Sequence, residues 1–381
     1  MTAPSTYHTR LALRFTASGS EYFRIWIVNL LLTVVTLGIY WPFAKARKLR
    51  YFHENTLVGD SPLSFHGDPK RMLRGYLLMA VLGGVYTVLN NTHPVAAAVM
   101  VVLTLPLAPW FLWSALRFRV ANTGWRGLRL QFDGTLKQMY RLFVPMVTPV
   151  GIAAVGWVVL LVVGAGGGDG GESALKSTPA AIWGFVTLLC FFASMLMSIR
   201  LMWRLKEFQH SHYRLGDEVT RLEATLKDYD KVQIRIVGVL FLGSLISSSL
   251  TAILAMSLGP WAGPLGVIGL YATMLVVVGY RMARMQNLVW GGTRSEHIVF
   301  HSELLLNPLV KLLLKNALLT VITLGFYWPF AAVALTRMRL EAMGLDLYMP
   351  LEQLMGSTIT QPGAAGEAAA DLNPLGLDID F

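Results

Sequence analysis

Long apolar runs alternate with polar stretches along most of the chain. Eight runs stand out, at 25–44, 75–89, 95–116, 143–165, 180–202, 237–258, 262–280 and 309–334. Most approach the ~20 residues needed to cross hydrocarbon as a helix. Several carry internal Gly or Pro, among them Pro106, Pro149 and Gly156. Membrane helices tolerate these where neighbours satisfy the freed backbone groups. The pattern therefore predicts a polytopic helical membrane protein.

Connections between the runs fall into two classes. Residues 91–94, 166–179 and 259–261 hold one basic residue, Lys176, whereas loops 45–75, 117–142, 203–236 and 281–308 hold twenty-three Lys and Arg. The positive-inside rule assigns the four basic loops to the cytoplasm.

A shorter period lies inside those loops. Leu63-Ser-Phe65 and Leu130-Gln-Phe132 alternate apolar and polar residues, each after an Asn-Thr pair and just before a Gly. That reads as a short strand. Looser echoes are Leu13-Arg-Phe15, Ile298–Ser302 and His212–Asp217. A lone strand leaves its backbone unpaired, so four or five such pieces on one membrane face are expected to pair into a small sheet.

Composition sharpens this picture. Hydrophobic residues make up 54% of the 381 and charged residues 14%, against about a quarter charged in soluble domains. The formal net charge is +10. In a soluble protein that would suggest nucleic acid. Here the basic residues sit beside apolar runs, so the expected partner is a bilayer with anionic headgroups at the cytoplasmic face, with no nucleic acid. The single cysteine, Cys190, lies in an apolar run and is read as a small core residue. Residues 1–24 are polar, with Arg10, Arg14 and Arg24. They are not a cleavable signal peptide, and the first apolar run is expected to target the membrane.

A repeat carries the most specific motif. Asn29-Leu-Leu-Leu-Thr-Val-Val-Thr-Leu-Gly-Ile-Tyr-Trp-Pro-Phe-Ala44 recurs from Asn316 to Ala331 with thirteen of sixteen positions identical. The candidate residues of the first copy are Asn29, Thr33, Thr36, Gly38, Tyr40, Trp41 and Pro42. Those of the second are Asn316, Thr320, Thr323, Gly325, Tyr327, Trp328 and Pro329. Asn55 and Asn122 join them from the Asn-Thr pairs. Gly and Pro at this spacing predict a helix break at Gly38 and at Gly325. Thr hydroxyls are placed to bond freed carbonyls, with the aromatic pair at the interface.

These motifs resemble the YjgN-like family of bacterial inner-membrane proteins, whose function is uncharacterised. The resemblance rests on 29–56, on 63–67 and on 316–339, and extends from about residue 10 to 350. It implies location and architecture, with no activity to transfer. The second copy departs from the first: Lys45, Arg47 and Asn55 correspond to Ala332, Ala334 and Ala342.

Other constellations carry little chemistry. No Asp or Glu lies within the eight apolar runs, where a proton- or sodium-coupled transporter ordinarily has a carboxylate. His297 and His301, flanked by Glu296 and Glu303, have helical metal-site spacing. Strand geometry would hold them too far apart, and a solvated loop is expected. The Gly-rich run 164–171 lacks the Lys-Ser/Thr end of a phosphate loop and reads as a linker. Residues 351–381 form an acidic tail read as disordered.

The expected fold is an all-α polytopic membrane protein. It is a helical bundle of 6–8 membrane segments, with short strand-like elements in the cytoplasmic loops and internal repeats. Residues 1–24 form an N-terminal segment with one strand-like element, 25–350 a membrane domain of degenerate repeats, and 351–381 the tail. Either the first and last runs cross fully, or each re-enters at Gly38 and Gly325, leaving six spans and both termini inside. The repeat favours the second arrangement. No catalytic residue, cofactor or metal site is expected, and protein partners are unassigned. Three functions remain open. Transport of a small molecule or ion calls for a polar cavity lined by the two breaks. A non-transporting, envelope-organising scaffold calls for a dry bundle with a docking surface of strands. A lipid-processing enzyme calls for polar residues converging at headgroup depth, and Asn55, His53, Asn122 and His66 are the group to nominate.

Overall fold

A computed structural model describes residues 8–166 and 178–350. Its elements recur in one order, strand, helices, strand, with two helices between the strands except in the second module, where a 3-10 turn divides the second helix in two. The first module is β1 (Thr9–Phe15), α1 (Gly19–Val35), α2 (Trp41–Glu54) and β2 (Thr56–Val58). The second runs through β3 (Ser61–Phe65), α3 (Pro69–Thr92) and α4 (Pro94–Thr104), then a 3-10 turn at Leu105–Leu107, α5 (Ala108–Asn122) and β4 (Thr123–Trp125). The third holds β5 (Leu128–Arg129), β6 (Gln131–Phe132), α6 (Leu136–Gly166), α7 (Thr178–His210) and β7 (Tyr213–Leu215). The fourth holds β8 (Glu218–Val219), β9 (Arg221–Leu222), α8 (Leu226–Leu258), α9 (Ala262–Gly291) and β10 (Thr293–Arg294). The fifth closes with β11 (Ile298–Ser302), α10 (Leu306–Ile322), α11 (Trp328–Glu341) and β12 (Met343–Leu347).

Local chemistry sets these boundaries. Three residues after its leading strand, each of the first four modules places a capping side chain. Ser18 accepts from the Glu21 N–H, Asp68 from the Lys70 N–H and Thr135 from the Gln138 N–H. Thr225 forms a capping box with Asp228. Such caps contribute about 1 kcal/mol each by satisfying an orphan N–H of the first turn. Leu305 stands at the fifth position and offers no cap. A second bond recurs in all five modules. The N–H groups of Thr16, His66, Asp133, Glu223 and Glu303 donate to the carbonyls of Asn55, Asn122, His212, Gly292 and Ala342, at 2.8–3.0 Å. Each ties the end of a module's second helix to a residue just past a strand.

Strand pairing joins the modules. Within each, the incoming and outgoing strands pair antiparallel: β1 with β2, β3 with β4, β6 with β7, β9 with β10 and β11 with β12. Between consecutive modules, hairpins pair β2 with β3, β4 with β5, β7 with β8 and β10 with β11. Finally β1 pairs β12, with Leu11 opposite Leu345. Leu130 alone separates β5 from β6, and its N–H donates to Thr123; Thr220 alone separates β8 from β9, and its N–H donates to Tyr213. Each of these pairs is thus one bent strand that carries the chain between a nine-stranded sheet, β5 to β9, and a three-stranded sheet, β6-β7-β8, and the two sheets together follow a ring. Tight turns make this possible. Gly59, Arg126, Gly127 and Gly216 adopt positive φ at the hairpin tips, the conformation two-residue hairpin turns require.

The ring has two chemically distinct faces. Leu13, Phe15, Val58, Trp125, Phe132, Tyr213, Ile298 and Leu345 lie on one and form a single core with the ends of the helices. Arg10, Arg14, Arg221 and Arg294 lie at the alternate, exposed positions. An all-α description therefore fails. The Leu-x-Phe pieces are legible in sequence, but each has a partner strand, which begins at the Asn-Thr pair for β1 and β3 and at Tyr213 for β6, and together they build a large antiparallel sheet. Further from the ring the helices present Leu, Ile, Val and Phe outward. Among the described residues five stretches are long and apolar enough to cross a membrane: Pro69–Thr92, Pro94–Asn122, Leu136–Leu160, Ile182–His210 and Leu226–Gly291, the last containing both α8 and α9. The remainder of the Gly-rich linker, 167–171, and the tail 351–381 lie outside the described residues.

Candidate functional site: the paired helix breaks

The two cassettes adopt one conformation. After α1 and after α10 the chain turns left-handed, with φ +49° at Leu37 and +92° at Gly38, and +50° at Leu324 and +94° at Gly325. The Gly38 N–H reaches back to the Thr33 carbonyl at 2.7 Å, and the Gly325 N–H to Thr320 at 2.7 Å. Such a closure satisfies carbonyls orphaned at a helix end. Left-handed Leu costs roughly 1–2 kcal/mol, so the sequence reading, which placed each break at the glycine and did not name Leu37 or Leu324, missed a strained neighbour. Its signal is the Thr-Leu-Gly order itself.

Threonine then spans the gap. The Thr36 hydroxyl donates to Leu32 at 2.7 Å and accepts from the Tyr40 N–H at 3.0 Å. Thr323 does the same with Leu319 at 2.7 Å and the Tyr327 N–H at 2.9 Å. Pro42 and Pro329 occupy the first turns of α2 and α11, where a missing N–H is no loss. Asn29 laces the two limbs by donating Nδ2 to the Ala44 carbonyl at 3.4 Å, as Asn316 does to Ala331 at 3.4 Å. Thr33 bonds the Asn29 carbonyl at 2.7 Å. Tyr40 stacks on Phe43, and Tyr327 on Phe330.

What these turns present is apolar. Leu37 is 93% exposed and Leu324 is 89% exposed. Val34, Val35, Ile39 and Trp41 are exposed around the first, and Val321, Ile322, Phe326 and Trp328 around the second. The two hairpins lie side by side, with Phe23 against Phe330 at 5.7 Å and Trp26 against Phe326 at 6.3 Å. Arg337 locks their bases by donating to the carbonyls of Phe15 at 3.3 Å and Ala17 at 2.6 Å. Each break thus forms the tip of an apolar hairpin.

Asn55 and Asn122 do not join the breaks. Both end helices, donating Nδ2 to the carbonyls of Tyr51 at 2.8 Å and Phe118 at 2.9 Å. Asn55 also accepts from the Thr16 hydroxyl at 3.1 Å. His53 contacts Leu49 and Thr123 through its two ring nitrogens. Burial pushes its pKa below the ordinary imidazole value; the Leu49 carbonyl opposes the shift and the Arg119 charge adds to it. Of the polar group nominated at headgroup depth, Asn55, Asn122 and His53 are therefore spent on helix ends, and the His66 N–H donates to the Asn122 carbonyl.

His297 lies in the turn between β10 and β11, as a loop reading expects, whereas His301 lies on a strand. His301 lies on β11 beside Asp346 at 3.2 Å, and the same carboxylate has His8 at 3.6 Å and Arg10 at 4.0 Å. His297 contacts Glu218 at 2.7 Å. Burial pushes the Glu218 carboxyl up, but bonds from Ser295 and from the His297 ring and N–H outweigh it and hold the pKa below the usual value. Among the described residues no cluster of His, Cys, Asp and Glu is arranged to hold a metal. Sequence spacing could not find these pairs, because β8, β11, β12 and β1 meet only in the ring. A groove of about 580 Å³ runs along α6 from Pro106 and Tyr140 to Trp183, with an apolar lining.

A family model described as "Bacterial protein of unknown function (DUF898)" matches residues 10–372. The chain is 27% identical over 159 residues to "Inner membrane protein YjgN" of Salmonella typhimurium, covering 41% of this chain and 40% of that protein. It is 27% identical over 144 residues to the protein of the same name from Escherichia coli K12, covering 37% and 36%. The chain thus spans about two fifths of the length of the curated relatives it matches. No solved structure matches it. The relatives' names and the membrane-length apolar helices place the chain in the bacterial inner membrane.

Proposed function

The chain belongs to the DUF898 family of bacterial proteins, and from that premise we propose that it is a non-transporting membrane scaffold. A cytoplasmic ring of strands holds six spanning helices and two half-depth hairpins. The spanning set is α3, α4 with α5, α6, α7, α8 and α9. One observation carries the reading: β1 pairs β12 in the same ring as the strands of the basic loops. If those loops are cytoplasmic by the positive-inside rule, both terminal strands are too. Then α1–α2 and α10–α11 must enter and leave by one face.

Dimensions agree with this. From Val28 to Leu37 the chain exposes large apolar side chains. At 1.5 Å per residue that stretch spans about 15 Å, half of a ~30 Å hydrocarbon core. Polar backbone at the turn is tolerated at that depth because the Thr and Gly bonds described above satisfy it. Arg24, Lys45, Arg47 and Lys48 on the first hairpin and Lys311 on the second fall at headgroup level, suited to anionic lipid. The five modules are read as degenerate internal repeats of one strand–helix–helix–strand unit.

Transport, the rival reading, calls for a polar cavity at the breaks. They instead turn Leu37 and Leu324 outward. The lipid-enzyme reading loses Asn55, Asn122 and His53 to helix ends. The test combines reporter fusions at both ends with single cysteines at Leu37 and Leu324. Cytoplasmic termini and tip thiols closed to a membrane-impermeant maleimide from either side are expected. A periplasm-active reporter at either end overturns the six-span arrangement. Solute flux in proteoliposomes that is abolished by Gly38→Leu, in protein that still folds, would reinstate transport.

A further inference from the structure

We propose that the groove along α6 is a binding site for one anionic phospholipid, with its phosphate on Lys137 and Arg141 and an acyl chain in the groove. Neither the family nor the scaffold reading assigns such a site, and the argument stands whether or not the end hairpins re-enter. Tyr140, Val144, Val147, Gly151 and Val155 line the groove. Their spacing of three and four residues makes one stripe of the helix. One turn toward the ring from Tyr140 that stripe reaches Lys137, and Arg141 flanks it one turn before Val144; both are exposed. Among the described residues neither cation has an ion pair with a carboxylate.

The dimensions fit a lipid chain. From Tyr140 to Gly156, α6 rises roughly 24 Å, about the reach of one extended acyl chain. Trp183 closes the far end; it lies over Gly156 and donates Nε1 to the Ala153 carbonyl at 3.4 Å. Gly151 leaves open space, since nothing stands within 4 Å of where its Cβ would be. At the near end the Tyr140 hydroxyl is already committed to the Pro106 carbonyl at 3.0 Å, which braces the 3-10 turn as a wall. Pro145 supplies no N–H to the Arg141 carbonyl. The headgroup end therefore offers two cations and an acceptor, while the rest is apolar. Each cation near a membrane surface favours anionic lipid by roughly sixfold, so two give on the order of 30-fold over a zwitterionic lipid.

Native mass spectrometry of the full chain, extracted with defined lipid, tests the proposal. Phosphatidylglycerol, phosphatidylcholine and inorganic phosphate are supplied separately. Wild type should retain one phosphatidylglycerol, on the order of 30-fold above phosphatidylcholine, and should not retain phosphate alone. K137E with R141E should abolish that preference. Gly151→Trp should expel the lipid by filling the groove with the charges intact. The same charge reversal at Lys227 and Arg235, exposed at the base of α8, should change nothing. Equal retention of the two lipids by wild type overturns the proposal. So does wild-type retention in either groove variant, loss in the Lys227 and Arg235 control, or capture of phosphate alone, which would mean a free-anion site.

Discussion

The first and third modules start alike and end at different depths. Both open with a Leu-x-Phe strand, both follow it with a capping hydroxyl, and both tie the end of their second helix to the ring by the same backbone bond. In the first, the helices are 17 and 14 residues long and are joined by the Thr-Leu-Gly break. In the third they are 31 and 33 residues long, and no such cassette occurs. The ring therefore fixes where a helix pair stands, and the length and turn chemistry of the pair fix how far it reaches. The fifth module repeats the first in both respects, and the two stand side by side.

Removing the shared frame should cost most. Phe15 and Phe132 occupy the same position in the two modules and both lie in the central core. Phe15→Ala and Phe132→Ala should each lose about 3–5 kcal/mol, read as thermal or denaturant stability of the purified protein. A markedly smaller loss at one would mean that the modules do not share a frame. Depth comes next. Leu37→Arg places a charge near mid-bilayer and should cost roughly 2.5–3.5 kcal/mol. Val219→Arg, on the exposed face of the ring, should stay within about 0.5 kcal/mol. Equal effects on membrane-fraction yield would remove the hairpin tip from the bilayer.

Turn chemistry is smaller and changes sign. Gly38→Ala and Gly325→Ala put a side chain where φ exceeds +90° and should destabilise by about 1–2 kcal/mol. Gly83→Ala, inside α3 with open space around its Cβ, should instead stabilise by roughly 0.5–1 kcal/mol. Melting temperatures moving the same way at all three would contradict the break. The smallest effect is pH-dependent and lies at the seam between the fourth and fifth modules. The Glu218 carboxyl is held below its usual pKa, so the folded form takes up its proton less readily than the unfolded form. Its contribution is full above the ordinary carboxylate value and fades as pH falls through the depressed one. The gap in melting temperature between wild type and Glu218→Gln should narrow over that window. A gap that persists unchanged at the acid end would show that the charge is not what matters.

Much of this was legible in sequence, and the misses share a cause. The cassettes, the break at Gly38 and the strand character of Leu13–Phe15 and Leu63–Phe65 all follow from spacing within a few residues. Thr56 and Thr123 were read as turns, because three-residue strands carry too little periodicity to announce themselves. The pairing of β1 with β12, the reach of Arg337 and the Glu218–His297 contact join residues far apart in the chain, and no local pattern encodes them. Asn55 and Asn122 stand out in sequence because the Asn-Thr pair recurs, and in the structure both bond a carbonyl one turn back at the end of a helix, a shared joint in the architecture.

The bond from Arg337 to Ala17 spans 320 residues of chain, and this sets a timetable for biosynthesis. At ~5–20 residues per second, roughly 16–64 s separate the emergence of the two partners from the ribosome. Throughout that interval β1 has β2 on one side and an unpaired edge on the other, where only β12 will eventually dock. An open strand edge invites pairing with another chain. The charges on its outer face, Arg10 and Arg14, oppose such pairing while the last strand is still being made. Crowding of ribosomes on one message should therefore lower yield more steeply when Arg10 and Arg14 are neutralised than when they are present.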